Sequence, residues 1–336
     1  MTIPTTEATG PSELVHSPFI ENTQIQYAWD SVSLTNALSC WRRYQLSIIE
    51  GWQPKSTNFA IALRFGIAFH SALEFYHRQR AAGADHEAAL RAVVATRPDD
   101  EDYASLPTCS DVAEQKEATA EDDDGIQHRN SNVRTRYHLM RSVVWYLEHY
   151  HDEQCKTLLL PSGAPAVEVS FRVPLPIEYK GTSLILCGHM DRIVDFNEEN
   201  WVMDYKTTKS LSRQFFADFQ LSHQLTGYTL AGQVILDKPV RGAIIDGVAL
   251  QVGGVQFGRA MSRRTSSQIG EYIQTVNYVF DRAVELAETG GDYPMNTSAC
   301  YFCHFKEVCS QPPEYRQTYL KMLFEQKKAW NPLENR

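Results

Sequence analysis

Asp191, Asp204 and Lys206 lie close together in a stretch of β-type texture and are the side chains of this chain best suited to chemistry. If the polar run 197–200 is a symmetric hairpin loop, Phe196 faces Trp201, Asp191 stands opposite Lys206, and Ile193 stands opposite Asp204. Side chains alternate with period two along a strand, so all three charged groups project from one face. Two carboxylates on one patch repel unless a cation neutralises them, and hard oxygen ligands suit Mg²⁺ or Mn²⁺. Such an ion polarises a phosphoryl oxygen and acidifies a bound water, and an ammonium beside it can orient that water or stabilise developing charge. The chemistry this points to is phosphodiester hydrolysis. The competing reading is a surface salt-bridge cluster.

A second set of reactive residues sits near the C-terminal end, where Cys300 and Cys303 are followed after five residues by Cys309. Seven cysteines in a chain without a secretory signal do not suggest a disulfide framework, whereas this compact spacing suits one metal centre. A fourth ligand is needed. Spacing leaves iron–sulfur and structural zinc both open, with His304 a substitute ligand for zinc. Cys109, Cys155 and Cys187 have no ligand spacing and read as buried or incidental thiols.

The elements that position these residues follow from periodicity. Residues 1–30 are rich in Thr, Pro, Ser and Glu and read as a flexible arm. Apolar residues recur at three and four positions over 33–49, 58–82 and 134–150, which predicts amphipathic helices within a helical region 31–160. After the turn signals at 161–165, three strand-like runs follow in a meander, then a helix over 214–236, a strand from Gly242 with a partner near Val255, and a long helix over 267–288. The expected fold class is α/β, a mixed sheet flanked by helices, with a core at 161–260 and a C-terminal helix and cysteine cluster at 261–336.

Charge is distributed unevenly. The net charge of −9 argues at first against a polyanionic substrate, but residues 99–124 hold eleven acids against one base, Lys116, and leave the remainder at about +1. A near-neutral body can hold a basic groove. The acidic segment 98–130 reads as a mobile insertion. No run approaches the roughly 18 to 20 apolar residues that cross a bilayer, and the first residues lack the regions of a signal peptide, so a cytoplasmic location is expected.

Four motifs in order give a resemblance. Gly188-His-Met-Asp191 followed by Asp204-Tyr-Lys206 is similar to the G-x-x-D and D-x-K elements of the RecB-like branch of the PD-(D/E)xK nucleases. Gly66-Ile-Ala-Phe-His70 resembles that branch's upstream histidine helix, and Gln224-Leu-Thr-Gly-Tyr228 its Q-x-x-x-Y helix. The spacing of four puts Gln224 and Tyr228 on one helical face. The resemblance implies a restriction-endonuclease-like core in which His70, Asp191, Asp204 and the Tyr205 carbonyl hold the metal. Lys206 would serve catalysis, Gln224 and Tyr228 would guide DNA, and Glu168 would supplement the site from the preceding strand. His189 and Asp195 are expected to be structural, and Thr207, Thr208 and Lys209 are candidates for phosphate contact.

Cys40 with Cys300, Cys303 and Cys309 resembles the four-cysteine iron–sulfur pattern of the AddB nuclease domain and its CRISPR-adaptation relative, one N-terminal cysteine joined to three C-terminal ones. The implied 4Fe-4S cluster would staple the N-terminal helices to the C-terminal segment. The activity implied is that of an exonuclease on DNA ends or single strands, in recombination, repair, phage replication or CRISPR adaptation, with a helicase, recombinase or CRISPR-adaptation protein as partner. No helicase signature G-x-x-x-x-G-K-[ST] is present. The alternative is a non-catalytic DNA-binding or assembly subunit that keeps the staple.

Overall fold

The computed structural model describes residues 17–55, 58–97, 100–111, 134–251, 253–291 and 293–334. Nine strands are numbered in chain order: β1 (Ala28–Trp29), β2 (Trp52–Pro54), β3 (Lys156–Thr157), β4 (Val167–Tyr179), β5 (Thr182–Phe196), β6 (Glu199–Thr208), β7 (Val240–Gln251), β8 (Gly254–Arg263) and β9 (Phe324–Gln326). The helices that matter for the site are α1 (Ser31–Ser39), α2 (Asn58–Ala81), α3 (Arg136–His149), α4 (His223–Leu236) and α5 (Ser266–Thr289). A mixed sheet runs β1-β5-β6-β7-β8, with β3 and β4 also paired to β5. The fold is therefore the expected α/β class, a central mixed sheet flanked by helices.

Alternation along the strands divides the core between the two faces of the sheet. Met190, Ile193 and Val202 pack with α4 and α5, which contribute Leu225, Val276 and Phe280. Val194, Trp201, Met203 and Tyr205 pack on the other face with Phe65, Phe69 and Leu73 of α2 and Val143 and Tyr146 of α3. Each side chain of this kind contributes about 1.5–3 kcal/mol when fully buried, and reversing the parity of β6 would exchange the two layers between cores shaped for different side chains.

The β5–β6 turn is tighter than the sequence suggested. Phe196 pairs with Glu199 and Arg192 with Met203, leaving a two-residue turn at Asn197 and Glu198. Both turn residues have positive φ, 53° and 63°, the twist that two-residue hairpins require. The expected pairing of Asp191 with Lys206 is thus off by two positions, and Asp191 comes level with Asp204. Met190 and Ile193, three apart, share one core, so strict alternation does not run through Asp191, but Asp191, Asp204 and Lys206 all line one cavity.

That hairpin ladder then stops. β5 pairs with β6 only over 192–196, while β6 continues in a parallel ladder with β7 to Thr208. Further back, at Ile185 and Leu186, β5 pairs with both β4 and the parallel strand β1. A strand has two edges, so β1 occupies the edge that β6 has left. Between these pairings β5 and β6 splay apart, and the fork begins at Asp191 and Asp204.

Ordered chain begins earlier than Ser31. Within 17–30, Ile25, Ala28 and Trp29 are buried, because β1 completes this edge of β5. The N-terminal elements are also tied to late ones: Arg42 Nε donates to the Tyr293 carbonyl at 3.0 Å, Asn296 Nδ2 to that of Ser39 at 2.9 Å, and Trp330 Nε1 to Asp30 Oδ2 at 3.0 Å. Of the acidic stretch 98–130, residues 98–99 and 112–130 lie outside the described residues.

A buried charged network lies behind the fork. Glu153 bridges Arg192 at 2.7 Å and Arg259 at 2.5 Å, and Arg259 reaches Asp246, itself fully buried, at 2.6 Å. His77 Nε2 lies 3.3 Å from both Arg192 Nη1 and the Tyr205 hydroxyl. A guanidinium only donates, so Nε2 accepts and the imidazole is neutral. Burial, followed by the charges of Arg192, Arg259 and Arg80, holds the His77 pKa well below 6.5. The unfolded state therefore binds the proton more readily. The contribution of neutral His77 is fully present above pH 6.5 and is lost as pH falls toward its folded pKa. The expected slope is up to about 1.4 kcal/mol per pH unit, and His77→Gln should flatten the decline. Denaturant unfolding of both proteins over this window checks it; parallel profiles would contradict the assignment.

Candidate active site

Three carboxylates stand in one row across three adjacent strands. Val167 pairs with Arg192 and Val169 with Met190, which places Glu168 opposite Asp191. On the other side of β5, the register places Asp204 opposite Asp191. The regular ladder is broken at Glu168, whose φ is 46°. Asp191 itself takes over a backbone role: its Oδ2 accepts the Tyr205 N–H at 2.7 Å. The carboxylate therefore lies in the gap between the strands, within reach of both faces.

This explains how His70 contacts it. α2 packs against the face opposite to the one bearing the aspartates, yet His70 Nδ1 lies 3.1 Å from Asp191 Oδ1 through the open fork. One ligand atom each from His70, Glu168 and Asp191 lie within 4.8 Å of one another, and this is the one such group of three among the described residues. A nitrogen and two carboxylate oxygens converging this closely fit a single divalent ion. Asp204 is not in that trio, and its Oδ2 lies 2.7 Å from Lys206 Nζ.

The protonation balance follows from position. Burial raises the Asp191 pKa, but His70, Lys206 and the Tyr205 N–H outweigh it and leave the carboxyl below its ordinary value. Burial also raises that of Asp204; Lys206 lowers it, but with Asp191 adding its repulsion the net shift is upward. For His70, burial works against protonation, yet attraction to Asp191 wins and its pKa is raised. Lys206 behaves alike, with Asp204 and Asp191 overcoming the effect of burial. Asp191, His70 and Lys206 are thus shifted toward their charged forms, whereas Asp204 is shifted toward its neutral one.

From α4, Gln224 Oε1 accepts from Lys206 Nζ at 3.3 Å, and its Nε2 donates to the Tyr228 hydroxyl at 3.2 Å and to Ser31 Oγ at 3.5 Å. Gln224 thus orients the lysine and links it to the start of α1. Tyr228, expected to guide a strand, lines the cavity beside Gln224; it is 9% exposed and meets Phe171 edge to face at 5.8 Å. Gly188 makes this packing possible, because a Cβ there would lie 3.0 Å from the Phe171 ring.

The carboxylates, Lys206 and Gln224 line one cavity of about 530 Å³. His189 lines it too, with Nδ1 2.9 Å from Ser170 Oγ. A residue expected to be structural thus reaches the cavity as well. Thr207 reaches the cavity as well, whereas Thr208 caps its own turn by donating to the Ser210 carbonyl. Asp195 pairs with Asn200 beside the turn, away from the cavity.

Cys40, Cys300, Cys303 and Cys309 line a second, small cavity, so residues 260 positions apart converge. The Asn296 N–H points to Cys40 Sγ at 3.3 Å. Four thiols around one space fit a thiolate-bound centre. His304 does not line this space and packs against Phe305. Burial and Arg43 lower its pKa to about 4.

Comparison with known proteins was made at three levels. A family model described as the PD-(D/E)XK nuclease superfamily matches residues 31–310. No curated protein matches the chain. Among solved structures, the one titled "Crystal structure of SSO0001" aligns at 12% identity and a TM-score of 0.30, covering 62% of this chain and 84% of that one.

Proposed function

Since the chain belongs to the PD-(D/E)XK nuclease superfamily, we propose that its cavity hydrolyses DNA phosphodiester bonds with Mg²⁺ or Mn²⁺, as an exonuclease of the RecB-like branch acting on ends or single strands. The observation that carries this is the convergence of His70, Glu168 and Asp191 beside the Asp204–Lys206 pair. A divalent ion held by the trio, with Asp204 and the Tyr205 carbonyl completing the set, supplies Lewis acidity toward phosphate and water. Lys206 directs its ammonium at the attacking water and the developing phosphoryl charge. Gln224 holds that ammonium in place, and His70 keeps Asp191 ionised and oriented.

The same reading assigns a 4Fe-4S cluster to Cys40, Cys300, Cys303 and Cys309. What supports this reading is that one N-terminal cysteine and three C-terminal ones line a single cavity. A DNA partner accords with the superfamily. Recombination, repair, phage replication and CRISPR adaptation are the settings proposed, beside a helicase, recombinase or CRISPR-adaptation protein. Among the described residues, no helix is long and apolar enough to cross a membrane.

The test is digestion of end-labelled linear DNA, with either end blocked in turn, in Mn²⁺, Mg²⁺ and EDTA. Metal-dependent release of short products from one unblocked end is expected. Binding with no cleavage in either metal would instead favour a DNA-binding assembly subunit.

A further inference from the structure

The cavity that holds the carboxylates has an apolar wall made by α2. Leu63 is 58% exposed and Ile67 41% exposed, and both line this cavity with His70. Residues 63, 67 and 70 fall on one helical face, at about 1.5 Å of rise per residue. Ile67 therefore lies about 4.5 Å and Leu63 about 10.5 Å along the axis from the metal-binding histidine. Between them Gly66 leaves the wall open, since a Cβ there would meet only Thr207 Oγ1, at 3.8 Å.

Isolated surface aliphatics need no explanation. These two differ by sharing a cleft whose other walls are Lys206, Gln224 and carboxylates, where a charged strand must enter for the proposed reaction. A duplex presents phosphates and sugars outward, which an aliphatic wall cannot pair with. An unpaired nucleotide presents the flat apolar face of its base, and burying Leu and Ile against it is favourable. At a spacing of roughly 3.4 Å per stacked nucleotide, the distance from His70 to Leu63 spans about three positions.

We propose that Leu63 and Ile67 form the specificity wall of this site, packing against unpaired bases next to the scissile phosphate and so selecting frayed or single-stranded ends. This rests on the nuclease reading and narrows its substrate to unpaired termini. Phosphate positioning and base packing are then split between the two walls: polar groups of β6 and α4 hold the backbone, and α2 holds the bases.

The test compares full-length protein with the Leu63→Ser/Ile67→Ser double variant and an apolar control, Leu63→Met/Ile67→Leu. Binding of fluorescein-labelled single-stranded and blunt duplex DNA is followed by anisotropy in Ca²⁺, and cleavage of both is followed in Mn²⁺. The serine variant should bind and cleave single strands about tenfold less well, through Kd and KM with kcat preserved. Blunt duplex should be unaffected, and the apolar control should behave as wild type. Equal losses on both substrates, no loss on either, or a fall in kcat alone would each overturn the proposal. A protein that cleaves nothing removes the nuclease reading, while the anisotropy preference still decides the wall.

Discussion

Asp191→Asn should lower DNA cleavage by about a thousandfold or more and abolish stabilisation of the fold by Mn²⁺. Asp191 joins three parts of the site. Asp191 contacts His70 at 3.1 Å, takes the Tyr205 N–H at 2.7 Å, and lies with Glu168 in the converging trio. An asparagine has one oxygen for these partners, and its amide nitrogen must face either a second donor or the imidazole. In wild type, a metal about 100-fold above its Kd should stabilise the fold by about 2.7 kcal/mol, visible as a raised Tm. Lys206→Ala provides the contrast: it should lose about 10² to 10³ in kcat yet keep the metal-induced rise, because the ammonium is no ligand. If Asp191→Asn cut DNA at the wild-type rate, or if both variants lost the Tm shift equally, the separation of roles would fail.

Cys303→Ser should strip the C-terminal centre and destabilise the protein by several kcal/mol, so that most of it aggregates on expression. Joining Cys40 to Cys300 closes a loop of 260 residues, and a crosslink of that span restricts the unfolded chain by about 5 kcal/mol. The small core there is built on Leu46, Trp52, Phe305, Val308, Leu320 and Phe324, with Cys303 and Cys309 packed against it, so removing the centre disturbs that core directly. Cys109→Ser, at an exposed thiol, is the matched control and should change nothing. Anaerobic purification with iron and sulfide analysis reads the result: four irons and four sulfides in wild type and none in Cys303→Ser. One zinc per chain would reassign the centre, and an unaltered Tm in Cys303→Ser would remove it.

The sequence revealed more of the site than of its surroundings, for physical reasons. Strand parity is local, so the shared face of Asp204 and Lys206 was legible even with the turn misjudged. The turn was hidden because Glu198 adopts φ of 63°, a conformation a glutamate seldom takes, while 197–200 reads as an ordinary polar loop. The fork was illegible because it depends on where ladders end, and termination at Asp191 reflects competition between β1 and β6 for one edge. Glu153 carries no periodic signal, and its partners Arg192 and Arg259 lie 39 and 106 positions away. The burial of Tyr228 was equally hidden, since spacing places a residue on a helical face without saying what covers it.

The ties between the α1 region and the segment beyond Tyr293 also form late. A ribosome adding about 5–20 residues per second exposes the aspartates and Lys206 several seconds or more before Tyr293, Asn296 and Trp330 emerge. A nascent chain of that length therefore holds the converging side chains before the hydrogen bonds that anchor Asp30, Ser39 and Arg42 can form.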